Sequence, residues 1–196
     1  MTSLKEFIEL IPKPCSVAVI TNYRTGSTAL CDFLSNYLKI DNYDEVFHQQ
    51  RNPAEYGRYK ETEHGVLKIM QDQIVEPYWT DILNRFVIIG LYRKDLARQS
   101  ASWYIANQII YWHTQVGDVV PEYEIYFDIV RIKEHCKVIE DYNKMYQTHR
   151  QLFSREFAYE DIQHEFTSEN TKYARYAKPT NYYEVLDVCQ KYFYNR

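Results

Sequence analysis

Cys15-Ser16-Val17-Ala18-Val19-Ile20-Thr21, followed after two residues by Arg24-Thr25-Gly26-Ser27-Thr28, is the stretch whose reading decides the fold. The first run is apolar and partly β-branched, the pattern of a buried strand. Behind Thr28, Leu30, Phe33, Leu34, Tyr37 and Leu38 recur with helical spacing. A glycine-centred loop between such a strand and helix turns backbone N–H groups toward one point at a helix N-terminus. Unpaired donors and the helix dipole attract phosphate or sulfate there. Arg24 adds a fixed positive charge, and Ser27 and Thr28 add hydroxyls. A nucleoside triphosphatase loop would read G-x-x-x-x-G-K-[ST]. This loop has one glycine and no lysine. The same five residues could also form a tight strand-to-helix turn and nothing more.

Working outward, Val66-Leu67-Lys68-Ile69-Met70 reads as a second strand and Phe86-Val87-Ile88-Ile89-Gly90-Leu91-Tyr92 as a third. The third is almost continuously apolar, as expected of a strand buried on both faces. A fourth is expected near Glu156-Phe157-Ala158-Tyr159. Ile125, Ile129, Ile132, Cys136 and Ile139 trace one face of a helix expected from about Glu122 to about Arg150, and a last helix begins near Asn181. Ser3 and Glu6 have the spacing of a capping box at the start of a short helix. Strands alternating with helices predict an α/β, P-loop-like three-layer sandwich, with a mainly parallel sheet of about four to five strands. Ligands in such sheets bind at the carboxyl ends of strands.

The chain is read as one domain over residues 1–196, a length that supports a well-buried core. Residues 41–65 are polar and aperiodic and are expected to form a lid or acceptor-binding segment. The formal charge of −4 excludes a general polyanion binder, so no nucleic-acid partner is expected. No apolar run approaches the roughly 20 residues that span a bilayer. Cys15, Cys31, Cys136 and Cys189 are scattered without metal-ligand spacing. They are expected to be reduced thiols in a cytoplasmic protein without structural zinc. The 20 tyrosines suit self-association into a homo-oligomer.

The strand ending at Tyr92 runs into Arg93-Lys94-Asp95-Leu96-Ala97-Arg98-Gln99-Ser100-Ala101-Ser102-Trp103. Asp95, Gln99, Ser102 and Ala106 share one helical stripe, small and polar. It would either hold an anion between Arg93 and Ser102 or serve as a capping network. Together the two blocks resemble sulfotransferases that use 3′-phosphoadenosine 5′-phosphosulfate, and are most similar to the bacterial trehalose 2-sulfotransferase type. That family's first loop reads R-S-G-S-T-L-L and its second block H-R-x-D-x-x-x-Q-A-V-S-x-x-x-A-x-Q-T-x-x-W. Arg93, Asp95, Gln99, Ser102, Ala106, Gln108 and Trp112 match in register, whereas Tyr92, Ser100-Ala101 and Ile109 depart. Gly65 to Met70 and Tyr159-Glu160-Asp161 extend the similarity.

The resemblance implies a metal-free enzyme whose donor substrate is 3′-phosphoadenosine 5′-phosphosulfate (PAPS), acting on a hydroxyl of a small molecule or carbohydrate. It puts the 5′-phosphosulfate on Arg24, Thr25, Gly26, Ser27 and Thr28, with Arg24 also catalytic, and the 3′-phosphate on Arg93 and Ser102. It makes Glu45, 21 residues after Arg24, the general base. His48 is the rival, because its imidazole titrates in the useful range. Lys68 either faces the cleft or snorkels to water from a strand end. Arg51, Arg58 and residues 172–179 line the acceptor or close over the nucleotide, or are plain surface. Two other classes remain: a magnesium-dependent small-molecule kinase, and an inactive nucleotide-binding or interaction protein with the same fold.

Overall fold

The computed structural model describes residues 3–13, 15–47, 64–73, 78–109, 122–167 and 178–195. His48, Arg51, Arg58, Trp112 and most of 172–179 lie outside them. Strand β1 (Val17–Thr21) is buried at all five positions and occupies the centre of a five-stranded sheet. Its neighbours are β3 (Gly65–Met70) and β4 (Val87–Tyr92). β2 (Asp41–Asp44) and β5 (Arg155–Ala158) form the edges, in the order β2-β3-β1-β4-β5. Every pairing is parallel, with Val17 opposite both Val66 and Val87.

Alternation along the strands divides the core between two faces. Val17, Val19, Val66, Ile89, Leu91 and Phe157 pack against α1 (Leu4–Glu9) and α2 (Ser27–Leu38). Ala18, Ile20, Leu67, Ile69 and Ile88 pack against Val46, Phe47 and α3 (Tyr78–Arg85). α1 begins with the expected capping box, Ser3 Oγ accepting from the Glu6 amide and Glu6 from the Ser3 amide. In α2, Leu30, Phe33, Leu34 and Leu38 are buried, whereas Tyr37 lies outside and donates its hydroxyl to Glu9.

Two expectations change. Asp41–Asp44, read as the start of a long connection, is an edge strand. Its D-N-Y-D sequence carries no apolar alternation: Asp41 and Asn42 are exposed, and Tyr43 and Asp44 are only partly buried. The helix expected from Glu122 begins instead at Ile129, as α5 (Ile129–Thr148), with Asp128 capping its first amides. The preceding residues, 122–128, form no helix or strand and are pinned. The Asn181 side chain bonds both the amide and the carbonyl of Ile125, and Tyr104 Oη bonds the Tyr126 carbonyl and the Asp128 amide. α5 joins α4 (Leu96–Ala106) and α7 (Tyr182–Tyr194) in a helical cluster around Ala101, Ile105, Ile132, Cys136, Val185 and Cys189. The short α6 (Tyr159–Ile162) follows β5 directly. The four cysteines are buried and none forms a disulfide.

The topology positions a site. After β1 the chain leaves through α2 toward β2, and after β4 it leaves through α4 and α5 toward β5 at the opposite edge. Connections that diverge from adjacent parallel strands leave a crevice at their carboxyl ends. The turns after β1 and β4 flank that crevice.

Candidate functional site

Two hydroxyls set the loop after β1. Thr25 Oγ1 donates to the Asn22 carbonyl, and Thr21 Oγ1 is within hydrogen-bond reach of both Thr25 Oγ1 and the Leu91 carbonyl, its single proton serving one of the two. Thr25 is fully buried, and its side chain staples the loop to the sheet. On either side, Arg24 (φ 58°) and Gly26 (φ 85°) are left-handed. Such alternation curls successive amides into a concave anion-binding arrangement. Gly26 is also the N-cap of α2 and supplies no side chain to its first-turn donors. Those N–H groups have no intrahelical acceptor. A Cβ at Gly26 would stand 2.2 Å from Tyr159 Cε2, so the position excludes larger residues by contact as well as by backbone.

The polar stripe of α4 faces this loop. Asp95 caps the helix through the Arg98 amide, Gln99 Nε2 donates to the Tyr23 carbonyl at 2.6 Å, and Ser102 Oγ accepts from Arg24 Nε at 3.0 Å. Arg93 lies differently. Its guanidinium sits over the Tyr159 ring, 4.6 Å from the centroid, and its Nε is 3.6 Å from Glu160 Oε1. Glu160 Oε2 also accepts from the Lys94 amide at 3.0 Å. Arg93 and Ser102, which the resemblance assigns to one phosphate, thus have different partners here.

Glu45 is gathered into a cluster that sequence alone could not assemble. Lys68 Nζ lies 2.8 Å from Glu45 Oε1, 2.8 Å from Asp44 Oδ1 and 3.0 Å from Thr28 Oγ1. Lys68 is in mid-strand and 3% exposed, so the reading in which it snorkels from a strand end is corrected. It shares the face of Val66, toward α2. The register of β2 shifts between Asn42 and Asp44, and Asp44 is left-handed (φ 51°). This distortion brings Asp44 and Glu45, adjacent in sequence, to a single ammonium. Burial opposes the charge on Lys68, but Asp44 and Glu45 outweigh it and hold the group above the ordinary lysine range. It therefore stays cationic at neutral pH.

An aromatic wall stands beside the loop. Tyr23 meets Trp103 edge-on at 4.0 Å and Tyr142 at 5.3 Å, and its hydroxyl donates to Asp72 at 2.8 Å. Burial, then the Asp72 carboxylate, pushes the Tyr23 phenol up, with Glu45 among the smaller contributors. Asp72, Tyr142 and the role of Glu160 were missed in the sequence. Only Glu160 left a signal there, as part of Tyr159-Glu160-Asp161 before a helix.

The described geometry therefore offers an amide cradle with an adjacent arginine, a buried ammonium and a half-buried carboxylate at the start of α2. Such a set can bind an anion and accept a proton beside it. Among the described residues no helix is long and apolar enough to cross a membrane. In comparison with known proteins, no family model matches the chain and no curated protein matches it.

Proposed function

We propose that the protein is a sulfotransferase moving a sulfuryl group from PAPS to a hydroxyl of a small molecule or carbohydrate. The observation that carries this reading is the meeting of Thr28, Lys68 and Glu45 at the start of α2, immediately behind the amide cradle of the Arg24–Thr28 loop. Sulfuryl transfer is an in-line displacement whose catalysis rests on positioning and on stabilising charge on the transferred group and leaving phosphate. The cradle and Arg24 suit the 5′-phosphosulfate. Glu45 suits the role of general base, taking the proton of the attacking hydroxyl. Arg24 is oriented for this by Ser102, and the loop carbonyl before it by Gln99. Arg93 is left to meet the 3′-phosphate with the guanidinium nitrogens not turned to Glu160.

The test is transfer of label from ³⁵S-labelled donor to a panel of sugars, polyols and phenols, in buffer containing a metal chelator. Labelled product with stoichiometric release of adenosine 3′,5′-bisphosphate is expected. Absence of transfer to every acceptor, together with magnesium-dependent phosphorylation from ATP, would replace this reading with the kinase one.

A further inference from the structure

Lys68 is hard to explain as a structural residue. The rest of β3 from Val66 to Met70 is apolar and buried, and a methionine at 68 would fill the same space without requiring two carboxylates. Replacing a buried ion pair by apolar side chains of similar volume is often neutral or stabilising. Its location explains it better. The ammonium touches Thr28, in the first turn of α2, where the amide cradle gathers an anion. It donates a hydrogen bond to Thr28 and is ion-paired to both Asp44 and Glu45 at 2.8 Å. Two carboxylates share one positive charge, so the ammonium can release one of them and remain neutralised by the other.

We infer that Lys68 holds Glu45 out of action until the donor binds, and then exchanges Glu45 for an oxygen of the sulfuryl group. This rests on the sulfotransferase reading and adds an order to it. Before donor binding, Glu45 Oε1 is held against the Lys68 ammonium at 2.8 Å, so that oxygen is occupied and turned away from an acceptor hydroxyl. When the sulfuryl group arrives beside Thr28, its negative oxygen competes for the ammonium. Glu45 is thereby released from Lys68, which stays neutralised by Asp44. The acceptor hydroxyl then attacks sulfur. The new oxygen–sulfur bond forms as the bond from sulfur to the 5′-phosphate oxygen breaks. The hydroxyl proton passes to Glu45, and the electron pair of the broken bond leaves on adenosine 3′,5′-bisphosphate. Lys68 meanwhile holds the transferred oxygens. The arrangement couples base release to the presence of the donor.

The experiment is calorimetry with two nucleotides, the sulfuryl-bearing donor and adenosine 3′,5′-bisphosphate, each without acceptor. Only the first carries the group that Lys68 is inferred to grip. Lys68→Met should lower donor affinity about tenfold to a hundredfold, the range for loss of a charge-assisted hydrogen bond, and leave bisphosphate affinity unchanged. Glu45→Gln removes the internal competitor and should tighten donor binding several-fold, again without affecting the bisphosphate, although it lowers turnover. A carboxylate with a purely structural role would not improve donor affinity when neutralised. If Lys68→Met does not fold, Glu45→Gln alone decides. Wild-type protein that binds both nucleotides, with a donor-to-bisphosphate affinity ratio unchanged by either folded variant, overturns the exchange. Wild-type protein that binds neither overturns the sulfotransferase reading itself, and the exchange with it.

Discussion

The turns after β1 and β4 are built from similar parts and put to different use. Each follows a central parallel strand, each carries an arginine and each leads into a helix. After β1, the N-cap is Gly26, which leaves the first-turn amides of α2 without a side-chain partner. After β4, the N-cap is Asp95, whose carboxylate serves the Arg98 amide, and Glu160 takes the Lys94 amide and faces Arg93. The second turn has thus been given its anion by the protein itself. The difference teaches that an arginine at a strand end does not define an anion site. What matters is whether the surrounding donors are already satisfied. By that standard the first-turn amides of α2 receive no side-chain cap, whereas the second turn has largely used its donors.

The largest effect is expected beside the first turn. Glu45→Gln keeps the side chain's size and removes its proton-accepting charge, so turnover should fall roughly 10²–10⁴-fold, the range for a general base. His48→Asn, assayed alongside, should cost less. A dead His48→Asn enzyme with a near-normal Glu45→Gln enzyme would move the base to His48.

Gly26→Ala comes next. It forces a Cβ into the Tyr159 ring and into a left-handed backbone. Overpacking and the conformational penalty together should cost on the order of 3 kcal/mol by denaturant unfolding. Donor binding should be lost as the cradle deforms. An unchanged unfolding midpoint would mean that Tyr159 moves freely, and that the contact between the two turns is loose.

Arg93→Ala sharpens the comparison directly. It should weaken adenosine 3′,5′-bisphosphate about tenfold, as one charge-assisted contact implies. Arg24→Ala should weaken it more, because Arg24 stands on the open cradle. Equal losses would show that the second turn is no less available than the first.

Glu160→Gln is expected to have the smallest effect. Neutralising the carboxylate loosens its hold on Arg93 and the Lys94 amide. Affinity for the bisphosphate should rise a few-fold by calorimetry, in keeping with a partly exposed ion pair worth under about 1 kcal/mol. A fall in affinity would mean that Glu160 orients Arg93 productively rather than competing for it.

The sequence was most legible where burial imposes a pattern. Val17 to Ile20 and Val87 to Leu91 read as central strands because both faces of the sheet are covered. Asp41 to Asp44 did not, since an exposed edge strand places no demand on side-chain polarity. Ile125 continued a helical apolar stripe, yet it lies outside the helix, its amide and carbonyl both taken by the side chain of Asn181, 56 residues away. Of the site, the Arg24–Thr28 loop is local and was visible as a motif. The Lys68 cluster joins β2, β3 and α2 and exists only once the sheet is ordered. Glu160 opposite Arg93 is equally non-local, separated by 67 residues.

The most direct measurement is calorimetric titration of wild-type protein with adenosine 3′,5′-bisphosphate, with 5′-AMP and with ATP plus magnesium, the first two in chelator. If the loop after β1 is a metal-free site for a bisphosphorylated donor, the bisphosphate binds without metal at least tenfold more tightly than 5′-AMP. Under the same account ATP with magnesium gains nothing over ATP alone. Equal affinity for bisphosphate and 5′-AMP, or binding that appears only with ATP and magnesium, would contradict it.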